Sequence, residues 1–378
     1  MPMPPGDESE PALLRTPLCG ALDCRLPLLL AGAPAGAVAA MAQAGGFGLL
    51  DAGSVPAGRL GAEIARLRGR IGRRFGVQLP AVDAGPWIDT CIEQDVACVL
   101  GGMPGAAVAR LHDAGILAAR CVASATEACL AQDAGIDLLI VRDDPDEDPS
   151  RPWTRLEQVL AIAGTPVAAC VRTDDAAGIA DALRHGAQAA LLGPPSLAGE
   201  PVAGRIERLA TEAARRLRRM EETQVEVASP ACYLTEFGLD QDARARRGRI
   251  VASLRALLDA ERIVARLALR CAAESEQARE LALMAIHRDA VAGCARLVRA
   301  IRGLQASPGT ATGASGSAAL DAIDPRERLR LLARERARAV AVLRELVPQL
   351  DDPGLRDDLA AMLDAHASGL GEADEPRS

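Results

Sequence analysis

Apolar and polar positions fall into repeating blocks through the first half of the chain. Short apolar runs recur at LPLLLAG (26–32), GFGLLDAG (46–53), RFGVQLPA (74–81), DVACVLGG (95–102), ILAARCVAS (116–124), DLLIVRD (137–143), PVAACVRT (166–173) and AALLGPP (189–195). Their starts lie roughly 20 to 29 residues apart. Runs this short and this apolar suit strands buried on both faces of a parallel sheet. Between them stand Ala-rich amphipathic stretches closed by a Gly, as in LHDAGI, AQDAGI and LRHGAQ, where Gly takes the left-handed cap that ends a helix. Strand, loop, helix, Gly, strand is the right-handed β-α-β unit, and eight such strands predict a compact, closed (β/α)8 barrel of the TIM type. GRIERLATEAARRLRRMEETQ (204–224) supplies the eighth helix. An open doubly wound sheet is the alternative reading of the same pattern.

From about residue 229 the period lengthens to that of long helices. Four are expected, at 249–274, 275–304, 324–350 and 353–370, with apolar faces at three-to-four spacing, which reads as an antiparallel four-helix bundle. Asp324 followed by Pro325 forms a cap and first-turn pair. The domain boundaries that follow are a disordered stretch at 1–11, the barrel at 12–224 and a linker at 225–244. A bundle at 245–370 and a disordered tail at 371–378 complete the chain. GTATGASGS (309–317) marks a flexible linker, 306–322, inside the bundle.

Composition narrows the picture. Of 378 residues 49% are apolar but only 2% aromatic, so the core must be built from Ala, Leu, Val and Ile. All 43 basic residues are Arg, which with the Ala excess reads as a coding bias rather than a function. A net charge of −8 argues against a nucleic-acid partner, which would select a basic face. Ten Cys occur with no C-x-x-C pair and no secretory signal. Cys19, Cys98, Cys121, Cys170 and Cys271 lie in or beside apolar runs and are expected as small buried hydrophobes in a reducing cytoplasm. The longest apolar stretch, Leu26 to Ala44, holds four Gly or Pro residues and lacks a basic signal-type flank, so no membrane partner is expected.

In sheet-and-helix enzymes chemistry sits just past the carboxyl ends of the strands. The sixth run leads there into Asp143, Asp144, Asp146, Glu147 and Asp148, broken by Pro145. Such a loop is either a site of crowded carboxylates with raised pKa values or a solvated acidic turn.

The stretch TPLCGALDCRLPLLLAGAPAG, the AGGFG turn, RRFGVQL at the third run, AGI and AGID before the fifth and sixth, and TPV at the seventh resemble the nitronate monooxygenases. These are FMN-dependent (β/α)8 enzymes that oxidise nitroalkane anions, and the similarity covers roughly residues 12–195. Carried over position by position, the resemblance implies flavin contacts at Ala31, Gly32 and Ala33, although no Met follows Pro34 as it does in the family. It places Gln78 where the family has an Asn, with an amide able to reach a ring edge. The Gly-Gly-His turn that carries the family's catalytic base after strand six is replaced by the acidic loop, so no catalytic residue is assigned. The phosphate corner would fall to Arg172, Gly193 and Ser196. There Asp174 and Asp175 oppose Arg172, while Pro194 and Pro195 delete two N–H donors. The loop thus reads as a vacated catalytic corner.

The helical half resembles ferritin-like bundles, bacterial domains of unknown function appended to other modules. Such bundles hold two metals through Glu and Glu-x-x-His positions. Glu261, Glu335 and His366 match three of the six, whereas Ala290, Gly293 and Leu363 stand where ligands belong. His287 and His366 also fit as interfacial histidines, and His112 and His185, near helix ends before Gly115 and Gly186, favour the helix dipole. The expected protein is therefore a non-catalytic or weakly ligand-binding barrel–bundle protein, a pseudoenzyme that binds FMN weakly or not at all and holds no metal. An active FMN-dependent oxidoreductase with an altered site and a metal-binding ferritin-like protein are the alternatives. A small ligand or a protein partner, and self-association into a homo-oligomer, stay open.

Overall fold

Each apolar run of the first half forms a strand: β1 (Leu28–Ala33), β2 (Phe47–Asp51), β3 (Phe75–Gln78), β4 (Cys98–Leu100), β5 (Leu117–Val122), β6 (Leu138–Val141), β7 (Val167–Val171) and β8 (Ala189–Leu192). All neighbours pair in parallel and β1 pairs with β8, so the sheet closes into an eight-stranded barrel rather than an open sheet. The computed structural model describes residues 14–80, 85–142, 153–172, 175–193, 201–235, 241–309 and 323–373. Of these, residues 57, 221–235, 241–244, 278 and 367–373 are described by their backbone alone.

A short helix α1 (Pro17–Ala21) precedes the barrel. The strands are followed by α2 (Ala35–Gln43), α3 (Leu60–Ile71), α4 (Gly85–Glu93), α5 (Gly105–Asp113), α6 (Ala125–Asp133), α7 (Thr154–Ile162), α8 (Ala176–His185) and α9 (Val202–Thr235). Their starts are set locally. Ser124 accepts from the Glu127 N–H at 3.1 Å while Glu127 accepts from the Ala123 N–H at 2.8 Å, a reciprocal cap for α6. Asp175 caps α8 through the Gly178 N–H at 2.8 Å. Their ends use the predicted glycines: Gly115, Gly135 and Gly186 take φ of 70°, 86° and 105°, which L side chains rarely adopt.

Inside the barrel, Leu29, Phe47, Leu49, Cys98, Leu100, Ala119, Leu138, Ile140, Ala168 and Leu191 form one buried cluster. Leu18, Cys19 and Leu22 of α1 and its following turn join that cluster, so α1 closes the N-terminal end of the barrel. Thr16 Oγ1 donates to the Gln188 carbonyl at 2.6 Å and ties this plug to the approach of β8. With so few aromatics, close approach replaces bulk. A Cβ on Gly76 would lie 2.6 Å from the Cys98 carbonyl and 2.8 Å from Leu49 Cδ2, so Leu49 occupies the room that a third-strand side chain would need.

The chain divides into two compact units, residues 1–159 with 165–229 and residues 160–164 with 230–378. The second is all-helical: α10 (Gln241–Ala273), α11 (Gln277–Gly303), α12 (Pro325–Leu346) and α13 (Pro353–Ala373). Asp324 caps α12 through the Arg326 N–H at 2.9 Å with Pro325 in the first turn, as the sequence pair predicts. Helix α9 runs past residue 224 to Thr235 and α10 begins at Gln241, so much of the stretch expected as the linker 225–244 is helical. Likewise α13 continues through residues 371–373 of the expected tail. The stretches 1–11, 310–322 and 374–378 lie outside the described residues. Among the described residues no helix is long and apolar enough to cross a membrane.

Gly76→Ala is expected to destabilise the first unit by about 1–3 kcal/mol through overpacking. Gly69→Ala, on the exposed side of α3 with nothing within 4 Å of its Cβ position, should instead stabilise by about 0.5–1 kcal/mol. Urea unfolding of the two variants beside the parent measures both, and equal effects would contradict the packing account.

Candidate functional site

The C-terminal ends of the strands gather the residues that the barrel offers a ligand. β1 ends in Ala31, Gly32 and Ala33, and its register against β2 is irregular between Leu30 and Ala33. Gly32 takes φ of 61°, a conformation open to Gly at little cost. This turns its N–H toward Gln78, the last residue of β3, whose Oε1 accepts at 2.9 Å. Gln78 in turn pairs in register with Asp51 of β2, so one amide fastens the ends of β1 and β3 across β2. The carboxamide nitrogen of Gln78 keeps two donors with no partner among the described residues. Ala31 packs on the apolar interior cluster below.

Around the same rim Cys121 of β5 and Cys170 of β7 also pack on that cluster. Both are half-buried rather than fully buried, a correction to the sequence expectation, because they stand near the open ends of their strands. Burial raises the Cys121 pKa, opposed by the charge of Arg142, so this thiol is neutral near pH 7. Cys98, in the closed interior, is pushed up to about 12 by burial, with Asp137 and Cys91 adding to the rise. Asp51 is committed to a turn, its Oδ1 accepting from the Gly53 N–H at 3.0 Å. Arg172 follows β7 and is exposed, and Gly193 follows β8 and is half-buried. Asp175, expected to oppose Arg172, is engaged as the α8 cap. Ser196, Pro194, Pro195, Asp174 and the acidic stretch 143–148 lie outside the described residues.

The structure thus joins Gly32 to Gln78 and places Arg172 and Gly193 at the ends of adjacent strands. None of the four histidines stands at the end of a strand. His112 pairs with Asp137 at 2.9 Å before β6, and His185 ends α8, bonded to the Asp181 carbonyl at 2.8 Å and tilted against Trp153. The other two belong to the helical unit.

There a second polar group is fully enclosed. Glu261 of α10 is 0% exposed, and His366 Nε2 of α13 stands 2.8 Å from its Oε1. Gly293 of α11 explains how a carboxylate fits: a Cβ there would lie 2.9 Å from Met362 Cε and 3.4 Å from Glu261 Oε2. With no side chain at Gly293, Glu261 and Met362 occupy the space beside α11. Burial lowers the pKa of Arg336 on α12, while Glu261 and Asp289 offset it as nearby negative charges. Glu335, the third candidate ligand, lies instead 3.7 Å from Arg338. Two of the three candidates therefore meet, and the third, largely buried, does not complete a metal group with them among the described residues. Among the described residues no three His, Cys, Asp or Glu side chains converge as a metal site. Sequence reading missed Arg336, although the signal was present. Arg328, Leu332, Arg336, Val340 and Leu343 share one buried stripe of α12, so two arginines stand on its apolar face.

Residues 248–375 match a family described as a domain of unknown function, DUF6306. Over 194 residues the chain is 30% identical to a hydroxy-methyl-oxo-octahydroindene-carboxyl-CoA dehydrogenase of Mycobacterium tuberculosis, covering 48% of this chain and 55% of that protein. The chain thus spans about half the length of the curated relative it matches. Among solved structures, FabK from Thermotoga maritima is 26% identical at a TM-score of 0.44, covering 47% of this chain and 61% of that one. Nitroalkane oxidase from Streptomyces ansochromogenes is 25% identical at a TM-score of 0.40, covering 47% of this chain and 66% of that one.

Replacing His366 by Leu leaves the enclosed Glu261 carboxyl without its nearest polar neighbour and should cost about 1–3 kcal/mol. The double change Glu261→Leu with His366→Leu should recover most of that loss in chemical unfolding. His287, bonded through Nδ1 to the Ala265 carbonyl at 2.8 Å, has its pKa lowered by burial, with Arg288 acting in the same direction. The unfolded chain therefore takes up this proton at a higher pH than the folded one. The stability is present above the unfolded value of about 6.5 and is lost as pH falls below it. Thermal unfolding between neutral pH and about pH 5.5 should show this loss, and His287→Asn should flatten it.

Proposed function

We propose that the barrel is a divergent relative of the nitronate monooxygenase-type barrels that keeps a ligand-binding mouth without the family's catalytic base. One observation carries this reading. The mouth fastens Gln78 to Gly32 over an apolar interior, and no histidine stands at a strand end. A proton-abstracting role near neutral pH calls for a group that exchanges a proton there. The described strand ends offer an amide, a neutral thiol, a carboxylate engaged by a backbone N–H, and guanidinium groups.

The residues fit the ring of a flavin better than its phosphate. The free amide nitrogen of Gln78 could donate to a ring edge, and Ala31 and Gly32 offer a flat surface without bulky side chains. For the phosphate, Gly193 supplies backbone and Arg172 supplies charge. The two prolines that follow Gly193 in the sequence remove N–H donors from that corner. Each charge-assisted hydrogen bond lost there weakens binding by roughly 1.5–3 kcal/mol, so two losses reduce FMN affinity by several powers of ten. No chemical step is assigned through the flavin.

The second reading is an active FMN-dependent oxidoreductase, favoured by the 30% identity to a protein named as a dehydrogenase. For the helical unit we propose a metal-free, ferritin-like bundle in which His366 and Arg336 stand beside the buried Glu261. We place the protein in the cytoplasm, acting on a small ligand or a protein partner and not on nucleic acid.

The expected outcome is a colourless protein as purified. Fluorescence titration should show no submicromolar FMN affinity, and a nitronate oxidation assay no turnover. A yellow protein, or tight FMN binding with turnover that Gln78→Ala abolishes, would establish the oxidoreductase reading instead.

A further inference from the structure

At the opposite end of the barrel, where the strands begin, lies a cleft of about 580 Å³. It is walled by the segment entering β1, the approaches to β2 and β3, and the first turns of α9. Three guanidinium groups line it, those of Arg15, Arg25 and Arg74. Asp23 and Glu207 line it as well, yet among the described residues neither forms an ion pair with the arginines. Three cations thus face two carboxylates without being neutralised by contact.

All three arginines are exposed, and two of them, Arg25 and Arg74, are anchored to backbone carbonyls. The Arg25 and Leu26 N–H groups donate to the Gly45 carbonyl at 2.8 and 2.9 Å. Arg25 also reaches the Ala44 carbonyl at 3.5 Å. Gly45 takes φ of 95°, and a Cβ there would lie 2.8 Å from Arg25 Nε, so the guanidinium lies in a cradle that a side chain would fill. Arg74 Nε donates to the Ile71 carbonyl at 3.2 Å. Each fork keeps further N–H donors, the geometry that recognises a carboxylate or phosphoryl group in bidentate fashion.

Thiol chemistry lies on the same wall. Cys24 lines the cleft, and Cys19 lies behind it. The Cys24 N–H donates to the Cys19 carbonyl at 3.0 Å, bringing the two residues together across a tight turn. The hydrogen bond from the Cys24 thiol, aided by Thr16 and by the charge of Arg15, lowers Cys19 to about 6 against its burial. The Cys24 thiol is raised by the same bond.

We propose that this cleft is a second ligand site of the barrel, distinct from the mouth at the strand ends, which takes a small molecule by its carboxylate or phosphoryl group. The site is built from Arg15, Arg25 and Arg74, with Cys24 at its wall.

The test is calorimetric titration of the full chain with citrate and, separately, with pyrophosphate. Binding of either anion at submillimolar concentration is expected, weakened at least tenfold by Arg25→Gln and by Arg74→Gln. Arg110→Gln, on α5 and paired with Asp89, should leave it unchanged. Binding of citrate alone assigns a carboxylate ligand, and binding of pyrophosphate alone a phosphoryl ligand. No heat with either anion, or binding lost in the Arg110 variant and kept in the other two, overturns the proposal. Should the Arg25 and Arg74 variants fail to fold, the parent protein still decides. Residues 16–25 form one tryptic peptide holding both thiols, and its alkylation by iodoacetate should be slowed by the anion that binds. Unchanged alkylation in the presence of that anion rejects the site.

Discussion

Closure of the parallel sheet is the constraint from which the first unit follows. Its strands are only three to six residues long, and pairing β1 with β8 leaves no edge unpaired. A closed barrel must then be filled from inside. With two of the three Phe, Phe47 and Phe75, already among its largest buried side chains, the interior is completed by Leu, Ala and Cys. Positions without a side chain, such as Gly76, admit Leu49 from the neighbouring strand. The plug of α1 is the second consequence. A barrel lined with small residues needs a cover at its base, and Leu18, Cys19 and Leu22 provide it.

Closure also separates two kinds of surface. At the strand ends, Gly32 and Gln78 fix the rim by a single backbone-to-amide bond, while the half-buried thiols of Cys121 and Cys170 border an apolar floor. At the strand beginnings, the plug and the turn at Gly45 hold arginines over a cleft. Neutral, hydrogen-bonding groups suit a planar ligand at the first. Three arginines around one cleft suit an anion at the second.

The helical unit meets a different constraint, a carboxylate with no exposure to water. A carboxyl group so enclosed needs polar company, and Glu261 has His366 Nε2 at 2.8 Å and Arg336 nearby. A ferritin-like metal pair would demand further carboxylates on α11. Ala290 is fully buried and Gly293 yields its space to Glu261 and Met362, so that helix contributes room instead of ligands.

The sequence by itself determined the eight strands, the left-handed glycines that end the helices, and the four long helices that follow. These depend on local rules: the length of an apolar run, the φ that only Gly accepts readily, and the spacing of an apolar stripe. The resemblances to the nitronate monooxygenases and to ferritin-like bundles brought Gly32, Gln78, Glu261 and His366 into view, through their places in those families' patterns. Only the tertiary structure decided which of these meet. Gln78 reaches Gly32 because parallel pairing sets β1 beside β2 and β2 beside β3 in this register, a relation not set by distance along the chain. Glu335 lies 3.7 Å from Arg338 one turn on, while its neighbour Arg336 is buried near Glu261. The anion cleft was invisible for the same reason. Its arginines come from three separate segments, and nothing in any one of them records that the barrel's base would bring them together.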